Sequence, residues 1–449
     1  MDASTNNVST AGQGFCRRHG IPDRVALYTC AVIIGLMAGT GAWILKTCIK
    51  YVSRWLTAGM DPSGPNWRLL FLPTIGIVLT VVFTRLILRR KLEHGTERLK
   101  ANLSVGKARM PFSSTFSPII ANTLTLGFGG SAGSEGPIAY ASAAMASTLG
   151  QKLGLSNQHL TTLVACGAGA GIAGIFTAPI GGVMFTLEVL ALPMTTIAVM
   201  TLIIACLVAG LTAFVLAGCN FDAPFTAVNQ FELPILPHII LLGIFCGLYA
   251  LYYSYTARLT GKYLAALANP WVRAVVSGLV VSAMLFFFPT LYGEGYGSVV
   301  KVINDLPTGV GEYSILGIST AHTPWLLIAI VGGILLCKGI AQKDSNSGGG
   351  VAGEYAPALF AGCMAGWFFA LLLNHGLGTD LPVGNFAVIG MGAVMAGAIK
   401  APLMAIFITV EMTDGYDFLL PVAVASAISY FIARIPDYIA AHQAQAKAQ

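Results

Sequence analysis

The most constraining feature of this sequence is a pattern of small residues that occurs twice, 223 residues apart. The segment Gly167-Ala-Gly-Ala-Gly-Ile-Ala-Gly-Ile-Phe-Thr-Ala-Pro179 aligns with Gly390-Met-Gly-Ala-Val-Met-Ala-Gly-Ala-Ile-Lys-Ala-Pro402 and matches it at seven positions. The same spacing relates Glu188 to Glu411. Close helix packing explains small residues, but it does not explain an Ala-Pro pair and a glutamate repeated at a fixed distance. The pattern predicts two related halves.

Apolar residues dominate the chain and determine its environment. Ala, Val, Ile, Leu, Met, Phe, Trp, Tyr and Cys make up 55% of the residues and charged residues only 10%, whereas a soluble domain carries roughly 25% charge. The composition therefore predicts an integral membrane protein. Many apolar runs after residue 117 are shorter than the roughly 20 residues of a full span, or are interrupted by Gly and Pro. Short and broken spans favour transport.

These features together predict the fold class and the domain organisation. We expect an all-α multi-pass membrane protein built from two inverted-topology repeats of short, tilted and broken helices, at about 68–217 and 271–434. The repeats lie in a transmembrane domain over 25–440, between a disordered cytoplasmic N-terminus (1–24) and a cytoplasmic tail (441–449). Such repeats bring the N-termini of half-helices together near the bilayer midplane.

The basic residues serve as topology signals. They cluster before the first apolar run and after the second, at Arg17, Arg18, Arg24, Arg85, Arg89, Arg90 and Lys91. The positive-inside rule places both clusters, and with them the N-terminus, in the cytoplasm. The net charge of +6 is accompanied by no nucleic-acid motif, so we expect no nucleic-acid partner.

The nine cysteines occur singly, with no C-x-x-C pair, and most lie in apolar runs. They are interpreted as small buried hydrophobic residues rather than as disulfides or metal ligands. We therefore expect neither a metal nor a cofactor.

A glycine-rich break, Gly127-Phe-Gly-Gly-Ser-Ala-Gly-Ser-Glu-Gly-Pro137, places one carboxylate between two apolar segments. An ionisable group at membrane depth suggests a functional site. The glycines allow close approach of the backbone to a ligand, and Pro137 suits the first turn of a helix. Free N–H groups and a positive dipole end would then converge near Glu135. The second half has a counterpart, Gly353-Glu-Tyr-Ala-Pro357, so Glu135 and Glu354 are expected to face one shared anion site.

These residues resemble the CLC family of chloride channels and chloride/proton exchangers. Gly133-Ser-Glu-Gly-Pro137 is similar to its G-(K/R)-E-G-P signature, and Gly353-Glu-Tyr-Ala-Pro357 to its G-x-F-x-P signature. The segment Lys400–Asp414 follows the pattern after the latter, and Tyr292–Gly297 and Pro436–Tyr438 fit as well. The similarity covers about residues 25–440 in family order.

The resemblance implies a homodimer in a lipid bilayer, with a separate anion path in each subunit. It implies that Glu135 gates the path and transfers protons. It also implies anion contacts from the outer signature, the central backbone and a tyrosine hydroxyl, at Gly133, Ser134, Glu135, Gly136, Glu354, Tyr355, Ala356 and Tyr438. His94 stands where a family serine or histidine would coordinate the central anion; it is either such a ligand or a solvated loop residue.

Three departures from the family pattern bear on mechanism. Ser134 replaces the basic residue of the first signature, which lowers the positive potential at the outer mouth. Val189 stands where exchangers usually carry a second glutamate as internal proton acceptor. Glu354 stands where the family generally has an apolar residue. It is either a helix-terminal residue in a vestibule or a replacement proton acceptor, and we favour the former because a second negative charge would repel the anion.

The predicted function is chloride transport, with proton exchange favoured because the gating carboxylate is present. A passive channel for chloride, fluoride or nitrate is the alternative. We expect a prokaryotic inner membrane and, since the chain ends at Gln449, no cytoplasmic nucleotide-binding regulatory (CBS) domain.

An intramembrane serine hydrolase is a distant alternative. Gly129-Gly-Ser-Ala-Gly133 fits the G-x-S-x-G pattern, but the histidines that could act as a base lie at span ends or in loops, at His159, His238, His322 and His375. H-E-x-x-H and P-loop patterns are absent. We therefore expect no enzyme activity.

Overall fold

The computed structural model describes residues 23–60, 66–89, 95–221, 223–225, 233–304 and 324–448. Regular structure in these ranges is helical, apart from one isolated β-bridge. The helices of the first half are α1 (Asp23–Thr57), α2 (Leu72–Val82), α3 (Thr96–Ser104), α4 (Ser117–Gly127), α5 (Glu135–Leu153), α6 (Asn157–Phe176), α7 (Pro179–Glu188) and α8 (Thr196–Leu216). Those of the second half are α9 (Leu236–Ala266), α10 (Pro270–Phe287), α11 (Tyr296–Ile303), α12 (Pro324–Ser347), α13 (Tyr355–Leu377), α14 (Val383–Ile399), α15 (Pro402–Thr413) and α16 (Leu419–Ala448).

Nine helical segments of the described part are long and apolar enough to cross a membrane. Helix α1 has 35 residues and is therefore about 52 Å long, more than the roughly 30 Å of a hydrocarbon core. Other helices, such as α7 with 10 residues and α15 with 12, are too short to span. The predicted mixture of long, short and broken helices is confirmed.

The duplicated small-residue segments form the two central helices, α6 and α14. Gly167 faces Ser142 and Ala146 of α5 so closely that a Cβ on Gly167 would lie 2.7 Å from atoms of both. In the second half, Gly390 packs in the same way against the backbone of α13 at Gly362 and Gly366. The small residues thus let each central helix approach its neighbour at backbone distance.

The ends of the two central helices are also equivalent. Thr177 directly follows α6 and Lys400 directly follows α14, and both residues have left-handed backbone conformations, with φ of 52° and 62°. In each half, an alanine and a proline then begin the next short helix, α7 or α15. Proline suits this position because the first turn of a helix has no use for its missing N–H.

Two glutamates connect the halves reciprocally. The Glu411 carboxylate accepts hydrogen bonds from the backbone N–H groups of Ile180 (3.0 Å) and Gly181 (2.7 Å) at the start of α7. The Glu188 carboxylate accepts from Leu403 (3.4 Å) and Met404 (2.9 Å) at the start of α15. Each carboxylate satisfies free N–H groups and the positive dipole end of a helix in the other half.

The structure differs from the prediction at the C-terminal tail. Two other predictions concern residues that the structure does not describe. Helix α16 continues to Ala448, so residues 441–448 of the predicted tail extend the last helix. Residues 1–22 of the predicted disordered N-terminus, and His94, lie outside the described residues.

Candidate functional site

The two signature loops meet at the centre of the molecule. The Gly133 N–H donates to the Gly353 carbonyl (3.2 Å), and the Gly353 N–H donates to the Gly133 carbonyl (2.7 Å). The resulting bridge is antiparallel, so equivalent loops of the two halves pass each other in opposite directions. This is the relation expected of inverted repeats.

The hydrogen bonds that hold these loops are equivalent in the two halves, because residues 125 and 131 correspond to residues 345 and 351, each 220 positions later. The Ser131 N–H donates to the Ser345 hydroxyl (2.9 Å), and the Val351 N–H donates to the Thr125 hydroxyl (3.0 Å). The Asn122 amide donates to the carbonyls of Gly133 (3.2 Å) and Val351 (2.8 Å). Buried loop backbone requires such partners, and here each half supplies them to the other.

Glu135 is the first residue of α5 and only 1% of it is exposed. The Tyr355 N–H, at the start of α13, donates to Glu135 Oε1 (2.5 Å). The N–H groups of Ala356 and of Glu135 itself also lie close to the carboxylate. Oε2 has no hydrogen-bond partner among the described residues. The carboxyl group of Glu135 therefore lies between the N-termini of two helices, where backbone N–H groups and helix dipoles favour an anion.

The glycines beside the carboxylate are needed for space. A Cβ on Gly133 or on Gly353 would overlap the carboxylate of Glu135. A Cβ on Gly136 would lie 3.3 Å from the Cα of Gly353. Only glycine lets the two loop backbones and the carboxylate share this volume.

Ser134 has a partner that the sequence did not reveal. Its N–H donates to Glu294 Oε1 (2.9 Å), and its hydroxyl donates to the same oxygen. Glu294 lies between α10 and α11, in the segment Tyr292–Gly297. That segment was assigned by its resemblance alone, and no local pattern links it to residue 134.

A cavity of about 350 Å³ lies beside the site. It is lined by the start of α3, the end of α12 and the loop before α13, at Gly95, Thr96, Glu97, Arg98, Ala101, Gly136, Lys343, Asn346, Ala352, Gly353, Glu354 and Tyr355. The Glu354 side chain is 43% exposed and lies 3.2 Å from the Lys343 ammonium. This position agrees with a helix-terminal carboxylate in a vestibule.

Tyr355 lines this cavity and also contacts Glu135 through its backbone N–H. Its hydroxyl donates to the Thr96 hydroxyl (2.8 Å), and its ring packs edge-on against Phe185, with centroids 6.0 Å apart. Tyr355 was expected to contribute backbone only, and Thr96 was not expected at all. The one available signal for Thr96 was its place two residues after His94 in the diverged loop.

Most of the other expected anion ligands lie near Glu135, but Tyr438 does not line the adjacent cavity. The structure places Gly133, Ser134, Gly136 and Ala356 around the Glu135 carboxylate or on its loops. Tyr438 lies in α16 with 59% of its surface exposed, and it does not line the cavity.

Ser131, the serine of the G-x-S-x-G match, lies in the interior of the protein. It is fully buried and its hydroxyl accepts a hydrogen bond from Lys338, which is also fully buried. A scissile bond would have no access to this pair.

Inverted helical repeats with a buried carboxyl group between two helix N-termini define a multi-pass membrane protein of the transporter type. The sequence profile described as voltage gated chloride channel matches residues 76–434. The chain belongs to this family, and the resemblance to the CLC proteins is confirmed.

Individual relatives cover most of the chain. A chloride channel protein of Ralstonia nicotianae, provisionally named ClcB-like, is 28% identical over 421 residues, which cover 90% of this chain and 92% of the relative. The H+/Cl− exchange transporter ClcA of Vibrio cholerae is 28% identical over 319 residues, 69% of this chain and 64% of the relative. The crystal structure of a slow cyanobacterial Cl−/H+ antiporter has a TM-score of 0.76 at 22% identity, covering 92% of this chain and 94% of that one. The last likeness shows a shared fold.

Proposed function

We propose that this protein exchanges chloride for protons across a membrane, and that Glu135 competes with chloride for one site. The observation that carries the proposal is the position of the Glu135 carboxylate, which accepts a backbone hydrogen bond from Tyr355 at the meeting point of two helix N-termini. A chloride ion in the same place would meet the same donors. The side chain and the anion therefore exclude each other.

Proton binding to Glu135 determines whether its side chain or a chloride ion occupies the site. Protonation removes the negative charge of Glu135 and weakens its attraction to the N–H groups, so the side chain leaves and chloride enters. Deprotonation reverses the exchange. Backbone dipoles suit a transport site because they replace hydration and still allow the anion to leave.

Relatives support both substrates. Members of this family are transporters or channels, and the named relatives include an H+/Cl− exchange transporter and a Cl−/H+ antiporter. The proposed anion contacts are the backbone at Gly133, Ser134, Gly136, Glu354, Tyr355 and Ala356. The hydroxyl pair of Tyr355 and Thr96 closes the side that faces the cavity. Ligation by His94 and Tyr438 stays a prediction.

The cellular setting is part of the proposal. Bacterial relatives favour the inner membrane of a prokaryote, with the N-terminus in the cytoplasm. The family resemblance favours a homodimer in which each subunit has its own path.

A passive anion channel is the second candidate, and Val189 favours it. Position 189 carries no titratable group, although exchangers usually have a glutamate there. Chloride, fluoride and nitrate are the anions to compare, because the loop around His94 has diverged.

Flux through purified protein in liposomes tests the proposal. Under an imposed chloride gradient we expect protons to move uphill in the opposite direction. The Glu135→Gln variant, which resembles the protonated side chain, should keep chloride flux and lose both proton movement and pH sensitivity. Chloride flux that moves no protons would favour the passive channel. Unchanged pH dependence in Glu135→Gln would remove Glu135 from its role.

A further inference from the structure

Lys338 is a buried cation that the proposed exchange does not use. It lies in α12 and is fully buried. Its ammonium donates to the Ser131 hydroxyl (2.9 Å) and lies 4.5 Å from the centroid of the Phe360 ring.

These neighbours do not neutralise the charge. Within the ranges that the structure describes, no carboxylate lies within ion-pair distance of Lys338. A hydroxyl and an aromatic face compensate only part of the large desolvation cost of an ammonium group. A buried charge without a counter-charge is strongly unfavourable, so a lysine that only fills space here would be a poor choice.

The repeat shows that the architecture does not require a lysine. The loop contacts of the two halves are equivalent at a spacing of 220 residues, and the position equivalent to Lys338 is Pro118. Pro118 lies in the first turn of α4 and carries no charge. The two halves therefore pack in the same way around different residues, and the cation is a property of one half alone.

The residues that contact Lys338 also contact, or belong to, the segments that form the proposed anion site. Ser131 is four residues before Glu135, in the same loop. The Phe360 ring packs against Gly295, the neighbour of Glu294. Both Glu135 and Glu294 therefore lie on segments that contain or contact the neighbours of Lys338. Glu294 is already held by Ser134, whereas Glu135 gives way to the transported anion in the proposed mechanism.

We propose that Lys338 is the fixed positive charge of the anion path and sets the affinity of the site for chloride. This inference rests on the proposed function. When it is protonated, Lys338 balances one negative charge in the path, either the Glu135 carboxylate or the chloride that replaces it. The first signature of the family has a basic residue where this chain has Ser134. Lys338, which contacts the same loop at Ser131, thereby supplies the positive potential that Ser134 does not. Because the ammonium is behind Ser131, it attracts the anion without holding it by direct contact.

Chloride binding to the full-length protein in detergent, measured by isothermal titration calorimetry, tests the role of Lys338. We expect Lys338→Met to bind chloride at least about tenfold more weakly, since one charge acts across several ångströms of low-dielectric protein. Lys262→Met removes an exposed lysine of α9 and should bind chloride as the wild type does. Glu294→Gln removes the opposing charge and should bind chloride more tightly.

The outcomes separate this inference from the proposed function. Absence of chloride binding by the wild type would contradict the proposed function itself. Wild-type affinity in a folded Lys338→Met protein would overturn the role of Lys338. The methionine variant is expected to fold, because replacing a buried charge by an apolar side chain is often neutral or stabilising. If it does not fold, Lys338→Gln, which can still donate to Ser131, is measured against the same expectation.

Discussion

Gly133 and Gly353 donate backbone hydrogen bonds to each other's carbonyl groups, and the Glu135 carboxylate lies against both glycines. One glycine comes from each half of the chain. The proposed anion site therefore lies where the halves join, and neither half contains it alone. Substitutions at this junction should affect transport more than they affect the packing of either half.

The first prediction concerns Gly353. In Gly353→Ala, the added methyl group would overlap the Glu135 carboxylate and lie 2.8 Å from the Gly136 nitrogen. Backbone cannot move away easily, and overpacking typically costs about 1–3 kcal/mol. We expect chloride flux from proteoliposomes to fall roughly tenfold to a hundredfold.

Gly297→Ala is the matched control, because a Cβ there meets nothing within 4 Å. Its flux should equal that of the wild type. Wild-type flux in Gly353→Ala would show that the space beside the carboxylate is not needed for transport.

The second prediction concerns the hydroxyl pair that faces the cavity. Tyr355→Phe keeps the ring against Phe185 and removes the hydrogen bond to Thr96. One neutral hydrogen bond contributes about 1 kcal/mol. Its loss should make separation of residues 355 and 96 more favourable by a factor of about 5. We expect faster chloride flux and fewer protons moved per chloride. The proton-to-chloride ratio in liposomes measures this.

Tyr249→Phe provides the comparison for Tyr355→Phe. The buried Tyr249 hydroxyl donates to the Leu335 carbonyl (2.9 Å), away from the cavity. Both variants should lose similar stability, but only Tyr355→Phe should change the ratio. Equal ratios in the two variants would assign the Tyr355 hydroxyl to packing alone.

The third prediction concerns Glu354. Its side chain is half-exposed and pairs with Lys343, and such pairs contribute about 1 kcal/mol or less. Glu354→Gln should therefore keep its stability, its chloride flux and its proton coupling. The same liposome assay decides this. If proton movement stops while chloride flux continues, Glu354 is the proton acceptor that replaces the glutamate missing at Val189.

The fourth prediction concerns stability. Glu411→Ala removes the charged acceptor of two N–H groups, on Ile180 and Gly181. Hydrogen bonds to charged groups contribute about 1.5–3 kcal/mol each. We expect a clearly lower unfolding temperature in detergent and an unchanged flux per folded molecule. Asp417→Ala, which removes an exposed carboxylate nearby, should unfold at the wild-type temperature. Equal unfolding temperatures for the two variants would contradict the capping role.

Much of the fold could be predicted from local patterns. The repeat of α6 and α14, the broken helix at Glu135 and its counterpart at Tyr355 all depend on glycine, proline and small residues, whose backbone preferences act locally. The fixed spacing of Glu188 and Glu411 indicated that they are equivalent residues of the two halves. These features are visible in sequence because each is encoded by neighbouring residues or by duplication.

The remaining parts of the site depend on contacts between distant segments. Glu294 reaches Ser134 from 160 residues away, and Lys338 reaches Ser131 from 207 residues away. No period or motif links such pairs, because side-chain contacts across a packed interior depend on the final arrangement of helices. Tyr355 shows the same limit, since its hydroxyl partner Thr96 is 259 residues away.

The reciprocal carboxylates also have a consequence for biosynthesis. When a ribosome has delivered only the first half of the chain, the N–H groups of Ile180 and Gly181 have no acceptor, because Glu411 follows 230 or more residues later. In hydrocarbon, unsatisfied N–H groups are unfavourable. These two N–H groups of the first half therefore gain their acceptor only after most of the second half has been synthesised.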